Sequence, residues 1–533
     1  MKRRDFLRAT AAAPLLAALP PELRAQASLQ ASTGFWDPGA LRHLLPTVSD
    51  TQILVKASFA SSLTGAPTLR VGGQSVPGRM TDTRGEFWQF HAIGLEPGRA
   101  YTLGLTGGDG KPLFAPWSLS TFPSPGANPE KLRVLLFTCA GGHEELSYLP
   151  VTTRNRLLRR ALSFKPDAAV ANGDHVYWDL RSPLTAKNQG LSPKAVGLIG
   201  GTFERSAPAL GTDNEALLKR AAGPQIAPVS GTDFRSTPVF FIQDDHDYYE
   251  NDDAYDEIVT FPPDAFMTQM ARATQSLWYP EFLPDATRPA GLSGSTHIGR
   301  AQAVSESFGT LRYGRLAEML LYTVRRTMTL AGPSAVFLDD LAENWLKARM
   351  AAPGVAHVVN APSNPHGWTA GKWGEWYPDV LTKEGKLSLE VKKPYWQNGW
   401  LKQHDRLLGA MSAMKGRTAM SVSGDLHAIG IGKILRTGNL DLSANPVVSV
   451  LTGPVGTRPA GWPSGIRKIG AQPSLHLKMD EEVKPIENHG FTIADFTGDK
   501  VVLRFFKWDR NAQSVEAIDT LEPFHTAELK RPG

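Results

Sequence analysis

Continuous apolar runs that end in polar residues dominate the chain from residue 131 onward. Five such runs read LRVLLFTCA, PDAAVANGD, TPVFFIQDDHD, RTAMSVSGDLH and PVVSVLTGP. Consecutive apolar positions are typical of strands covered on both faces, and the segment TTRNRLLRRAL between the first two runs has helical spacing. The order strand, helix, strand predicts an α/β domain with a largely parallel sheet.

A different pattern fills residues 28–123. Short runs such as TQILVKASF, GEFWQFHAIG and AYTLGLTG are separated by Gly, Pro, Asn or Asp, which is the spacing of a β-sandwich. The stretch LEPGRAYTLGL is typical of a fibronectin-type or immunoglobulin-like sandwich. We therefore predict an all-β domain over 28–123, a Pro/Gly-rich linker, and an α/β domain over 131–525 that ends in a hairpin around Gly498-Asp499.

Residues 1–27 have the composition of an export signal. They contain a basic start, an apolar stretch over 9–20 and the small-residue site Ala25-Gln26-Ala27. The apolar stretch is shorter than the ~20 residues that a bilayer span needs. Paired arginines followed by Phe6-Leu7 are typical of a twin-arginine signal. We expect export of the folded protein by the twin-arginine machinery, to the periplasm or the extracellular space.

Net charge and cysteine content narrow the possible functions. The formal charge is +5, but residues 1–27 carry five basic and two acidic groups, so the remainder carries +2. This near balance argues against nucleic-acid binding, which needs a concentrated basic face. The single cysteine, Cys139, excludes an internal disulfide and lies directly after the first apolar run.

The polar residues at four strand ends form a set suited to two metal ions. Functional side chains of open α/β sheets gather at the carboxyl ends of strands. Two metals about 3.5–4 Å apart need a carboxylate that bridges them, and Asp174 is the natural bridge. Cys139, Tyr177 and His427 would complete a first site, since thiolate, phenolate and imidazole together suit ferric iron.

The remaining strand-end carboxylates predict a second site. Asp245 and Asp425 would provide oxygen ligands, which favour calcium, magnesium or manganese. His246 follows Asp245 in the chain and is placed to protonate a leaving group. His175, although it lies beside Asp174, is expected to pack rather than to bind metal.

Taken in order, TC, GDHVY, DDHD and GDLH resemble the metallophosphoesterase signature of PhoD-like alkaline phosphatases, which are relatives of purple acid phosphatases. The resemblance covers about residues 28–525. It implies a four-layer α/β-β/α sandwich with the active site at the strand ends, and iron with calcium as cofactors. It implies that His246 acts as an acid or stabilises an oxyanion, and it implies these metal ligands: Cys139, Asp174, Tyr177, Asp245, Asp425 and His427.

One further ligand is expected between DDHD and GDLH. The best candidate is Asn360 in HVVNAP, where a strand ends in a neutral oxygen donor. The sequence also departs from the family, because an aspartate-x-arginine strand is replaced here by LLYTVRR.

The predicted function is hydrolysis of phosphate mono- or diesters through a bimetallic centre, as in alkaline phosphatase D. The expected partner is a small phosphate ester, and no stable protein partner is inferred. A phosphodiesterase or phospholipase D-like enzyme acting on lipid or cell-wall phosphodiesters fits equally well. Two other classes stay open: an iron redox enzyme, and a non-catalytic protein whose sandwich binds a surface.

Overall fold

The computed structural model describes residues 36–178, 192–249, 254–255, 258–285 and 308–532. The predicted export signal lies outside these residues. Within the described ranges, no helix combines the length and the apolar character that crossing a membrane requires.

The N-terminal region is a β-sandwich of two four-stranded sheets. The strands are β1 (Leu41–Val48), β2 (Ile53–Phe59), β3 (Thr68–Val71), β4 (Gln74–Pro77), β5 (Arg79–Met80), β6 (Phe87–Ala92), β7 (Ala100–Thr106) and β8 (Trp117–Ser120). The strand orders in the two sheets are β1-β2-β6-β5 and β4-β3-β7-β8. Core side chains from both sheets, including Val55, Phe90 and Leu103, are fully buried.

The described residues after 123 contain two large sheets and three two-stranded ribbons, together with helices. The strands are β9 (Lys131–Phe137), β10 (Ala168–Asn172), β11 (Val239–Ile242), β12 (Ala254–Tyr255), β13 (Ile258–Val259), β14 (Phe308–Tyr313), β15 (Ala317–Tyr322), β16 (His357–Pro362), β17 (Trp368–Thr369), β18 (Val380–Leu381), β19 (Leu387–Ser388), β20 (Met420–Ser423), β21 (Ile429–Thr437), β22 (Leu440–Asp441), β23 (Val447–Thr452), β24 (Gln472–Pro473), β25 (Leu477–Ile486), β26 (His489–Thr497), β27 (Lys500–Trp508) and β28 (His525–Lys530). One sheet has the order β11-β10-β9-β26-β27-β28. The other has the order β14-β15-β16-β20-β23-β21-β22, with β25 paired to β21.

The strand pairing confirms the parallel core that the apolar runs predict. β9, β10 and β11 are mutually parallel, as are β15, β16, β20 and β23. The hairpin around Gly498-Asp499 joins β26 to β27, and β28 extends the same sheet past residue 525.

Helices cover the outer faces of the two sheets. Alternate residues of β9 point to opposite sides: Val134 and Leu136 join the core between the sheets, whereas Leu135 and Phe137 join the core beneath the helices. The helix over Val151–Ser163 packs near β26, and the helix over Asn398–Ser412 packs near β23. This arrangement is the predicted four-layer α/β-β/α sandwich. The helices are α1 (Val151–Ser163), α2 (Pro193–Ile199), α3 (Asp213–Ser230), α4 (Ala265–Trp278), α5 (Asp340–Ala351), α6 (Asn398–Ser412) and α7 (Pro463–Arg467).

The N-terminal sandwich packs against α3 and α4 through buried polar contacts. Lys56 and Glu281 form an ion pair of 3.2 Å with both side chains fully buried. Nε2 of His43 lies 2.8 Å from the carbonyl oxygen of Trp278. Because such groups are stable in the interior only when paired, these contacts fix how the sandwich sits on the α/β domain.

Candidate metal centre

The carboxyl ends of four strands meet at one point between the two sheets. Cys139 follows β9, Asp174 follows β10, Asp245 follows β11 and Asp425 follows β20. The Cys139 N–H donates to the Gly173 carbonyl at 3.1 Å, which joins the first two strand ends. The four motifs lie at strand ends as predicted, because a parallel strand must leave its sheet there before the chain returns.

The first group of candidate ligands surrounds one oxygen of Asp174. Oδ2 of Asp174 lies 3.3 Å from the Cys139 Sγ, 3.0 Å from the Tyr177 hydroxyl and 4.0 Å from the His427 Nε2. The Tyr177 hydroxyl is also 3.0 Å from the His427 Nε2. One thiol, one phenol, one imidazole and one carboxylate therefore converge, which is the donor set predicted for the first site.

Three carboxylates form the second group. Asp174, Asp245 and Asp425 each place an oxygen within 4.8 Å of the other two, and all three residues are buried. Asp174 belongs to both groups, as a bridging carboxylate must.

Four of these residues have strained backbone conformations, with φ in the left-handed region. The φ angles are 49° for Cys139, 61° for Asp174, 63° for Asp425 and 46° for His427. A non-glycine residue with positive φ costs about 1–3 kcal/mol and persists where the surrounding structure enforces it, often at a functional site. Of the eight such residues in the described chain, half are candidate ligands.

The protein alone stabilises these carboxylates poorly. Burial raises the pKa of Asp174 well above its ordinary value, and the neighbouring Asp245 raises it further. Burial also raises the pKa of Asp425 to about 7, although Lys372 opposes that shift. Burial likewise raises the pKa of the Cys139 thiol. A bound cation would reverse this cost by favouring the ionised forms.

The donors fit metal ions in two further respects. The His427 Nδ1 lies 2.6 Å from the Gly461 carbonyl oxygen, to which only an N–H can donate, so its Nε2 carries a lone pair that could bind a metal ion. Oδ1 of Asp174 and Oδ2 of Asp425 are buried and have no hydrogen-bond partner among the described residues. Buried carboxylate oxygens without hydrogen-bond donors are chemically suited to bind cations.

His246 stands beside the first group. Its ring centroid is 4.2 Å from that of Tyr177, and it lines a cleft with Asp174 and Asp425. Burial lowers the pKa of His246 to about 4, so the imidazole is neutral at pH 7. A neutral imidazole can still donate an N–H hydrogen bond to an oxygen on which negative charge develops.

Asp247 organises the turn that carries Asp174, a role that the sequence reading missed. Its carboxylate accepts the backbone N–H groups of Asp174 (2.9 Å), His175 (2.8 Å), Val176 (3.2 Å) and Asp244 (2.9 Å). The third carboxylate of the DDHD motif offers the only local signal for this role.

Two side chains lie near the centre without joining the ligand groups. His175 directs Nε2 to the Ile242 carbonyl at 2.9 Å, in keeping with the packing role expected for it. Asn360 is fully buried within β16 and pairs with Ser421 in the sheet, two residues before its strand ends. Its amide has no hydrogen-bond partner among the described residues, and its role as a ligand stays a prediction.

Lys372 is a second group that the sequence reading missed. Its Nζ lies 2.6 Å from Oδ1 of Asp425 and 3.2 Å from Oδ2 of Asp245. In the LLYTVRR segment, Arg325 is fully buried and its Nε donates to Asp244 at 2.7 Å. Neither contact has a local sequence signal, because each partner comes from a distant strand.

No family model and no curated protein matches the chain by sequence. Solved structures that share its fold of two facing sheets include the following two. The structure of PhoD has a TM-score of 0.56 and 13% sequence identity, and the match covers 92% of this chain and 91% of that one.

The second structure is purple acid phosphatase PPD1 from yellow lupin (Lupinus luteus) seeds. It has a TM-score of 0.55 and 12% identity, over 93% of this chain and 75% of that chain. These similarities confirm the fold that the resemblance predicts. At such low identity they establish the fold alone.

Proposed function

We propose that the protein is a metal-dependent hydrolase of phosphate esters. The observation that carries this proposal is the pair of buried ligand groups sharing Asp174 at the strand ends. A shared carboxylate with different donors on either side is the arrangement that two adjacent metal ions require.

The two groups of donors differ in chemistry and would therefore bind different metal ions. Cys139, Tyr177 and His427 would hold Fe³⁺ with one oxygen of Asp174, since soft and anionic donors suit a transition metal. Asp245 and Asp425 would hold Ca²⁺, or Mg²⁺ or Mn²⁺, through oxygen alone. When bound, such a pair supplies a nucleophile from water at neutral pH and neutralises charge on the phosphoryl group.

The chain's own residues would orient the substrate and assist the leaving group. The cleft over the centre has a volume of about 250 Å³ and places His246 beside Asp174 and Asp425. His246 would donate an N–H to the leaving oxygen as charge builds there. No serine or threonine nucleophile is needed in this scheme.

The cleft also favours a substrate with an apolar leaving group, which includes phosphodiesters. Trp373, Leu426, Pro463 and Ile466 line the same cleft as the acidic residues, and Ile466 is 64% exposed. A lipid or aryl group could pack against these apolar side chains. We propose the same cleft for monoesters and diesters, and export by the twin-arginine route as the setting in which it acts.

Metal content and hydrolysis, measured on the same samples, test this function. Cys139→Ala and Asp174→Asn should each lose bound metal, and kcat/KM for p-nitrophenyl phosphate or bis(p-nitrophenyl) phosphate should fall at least about 100-fold. Asp499→Asn changes a carboxylate in the exposed β26–β27 turn and should retain both properties. Full turnover by a metal-free preparation, or metal-dependent electron transfer without hydrolysis, would contradict the proposal.

A further inference from the structure

Lys372 reaches the second ligand group from a loop, and two charged side chains hold the residues just before it. Glu375 accepts the Ala370 N–H at 2.8 Å and the Thr369 hydroxyl at 2.6 Å. Arg467 donates to the Ala370 carbonyl at 2.9 Å and to the Gly371 carbonyl at 2.6 Å. The lysine is therefore presented by a built loop that joins β17 to β18.

The ammonium group binds the outer side of the carboxylate cluster. It contacts Oδ1 of Asp425, whereas Oδ2 of Asp425 and Oδ1 of Asp174 have no hydrogen-bond partner in the described part of the chain. The side chain of Lys372 is only 18% exposed. The cluster of Asp174, Asp245 and Asp425 thus already holds one positive charge supplied by the chain.

We propose that Lys372 is an internal counter-ion of the second metal position and lowers the affinity of that position for divalent cations. The inference rests on the proposed function, because it takes the three carboxylates as a metal position. An ammonium bonded to two of the ligands would lie close to a bound ion and would repel it. The same charge relieves the mutual repulsion of Asp245 and Asp425 when the position is empty.

The proposal predicts that the two positions bind their metal ions with unequal affinity. The first group has no lysine or arginine bonded to its candidate ligands in the described residues, so its ion is held tightly by four donors. The second ion binds weakly and exchanges with the solution. Purified protein would then carry one metal at the Cys139 group and gain the second only from added cation.

The experiment compares Lys372→Met, which keeps length but removes charge, with Lys372→Arg, which keeps charge. Lys468→Met is the matched control, because Lys468 is an exposed lysine at the end of α7 whose Nζ donates to the Gly465 carbonyl and to no candidate ligand. Mn²⁺ is titrated into each purified protein by calorimetry, and metal content is measured before and after.

We expect Lys372→Met to bind the second Mn²⁺ at least about tenfold more tightly than wild type, from the Coulomb repulsion removed. Lys372→Arg and Lys468→Met should match wild type. A folded Lys372→Met protein with unchanged or weaker Mn²⁺ binding overturns this inference alone. If the wild-type protein binds no metal at either position, both the Lys372 inference and the proposed function fail. The metal content of the wild-type protein therefore distinguishes the two failures. Lys372→Gln provides a second uncharged variant should the methionine variant not fold.

Discussion

Individual residues at the centre are held in conformations that they would not adopt alone. Asp174 has a φ of 61°, and the next residues of its turn donate their backbone N–H groups to Asp247. Burial raises the pKa of Asp247 to about 8, although the N–H donors oppose this shift. A single carboxylate therefore stabilises the turn on which the bridging ligand depends.

Replacing Asp247 with Asn should destabilise this turn. The new amide NH₂ would replace one of the two oxygens, each of which now accepts hydrogen bonds from two backbone N–H groups. About two N–H donors would then lack a partner, and the free energy of unfolding should fall by about 3 kcal/mol. Urea unfolding of the metal-free protein measures this change, with Asp109→Asn in an exposed loop as the control. Equal midpoints for the two variants would show that Asp247 does not support the turn.

At the scale of elements, the strand ends pack so closely that they admit no side chain. Gly424 lies between β20 and Asp425, and a Cβ there would be 2.0 Å from the Thr138 Oγ1 and 2.4 Å from the Asn172 carbonyl oxygen. Thr138 immediately precedes Cys139. Close backbone contact is therefore what brings ligands from both sheets to one point.

Gly424→Ala should separate these strand ends. Overpacking of this kind costs about 3 kcal/mol, and we expect a lower melting temperature together with loss of bound metal. Gly498→Ala is the matched control, because nothing lies within 4 Å of the Cβ it would add. A Gly424→Ala protein that keeps its metal content would contradict the close-packing explanation.

At the scale of the whole molecule, the sandwich and the α/β domain form one stable unit through buried polar groups. Burial lowers the pKa of His43 from 6.5 to about 4, although its hydrogen bond to Trp278 opposes that shift. Nε2 donates to the Trp278 carbonyl, so Nδ1 accepts from the Ser58 hydroxyl. The neutral ring is thus the form that fits the interface.

Acid should weaken this interface. Because the folded-state pKa of His43 is depressed, its contribution is complete above pH 6.5 and is lost as the pH falls through about 4. The loss approaches about 3 kcal/mol, at 1.36 kcal/mol per pKa unit. The free energy of unfolding of wild type should therefore fall relative to that of His43→Gln between pH 7 and pH 4. His525→Gln, at a partly exposed strand, is the control, and parallel pH profiles for wild type and His43→Gln would exclude this role.

Features local to one stretch of chain were predictable from the sequence, and those made by distant loops were not. The β9–α1–β10 unit and the hairpin at Gly498-Asp499 follow from apolar spacing and turn residues alone. The order of the strand-end ligands follows because the carboxyl ends of parallel strands share one edge. Lys372 has no motif of its own, and its contact with Asp245 spans 127 positions. Its role depends on a loop conformation that no local pattern encodes.

The position of β26 in the six-stranded sheet has a consequence for synthesis. β26 lies beside β9, although more than 350 residues separate the two strands along the chain. During synthesis, the edge of β9 that pairs with β26 stays unpaired until β26 has been made, more than 350 residues later. The sheet whose strand ends carry Cys139 and Asp174 therefore closes late, when the growing core can meet the loop-closure cost of so long a separation.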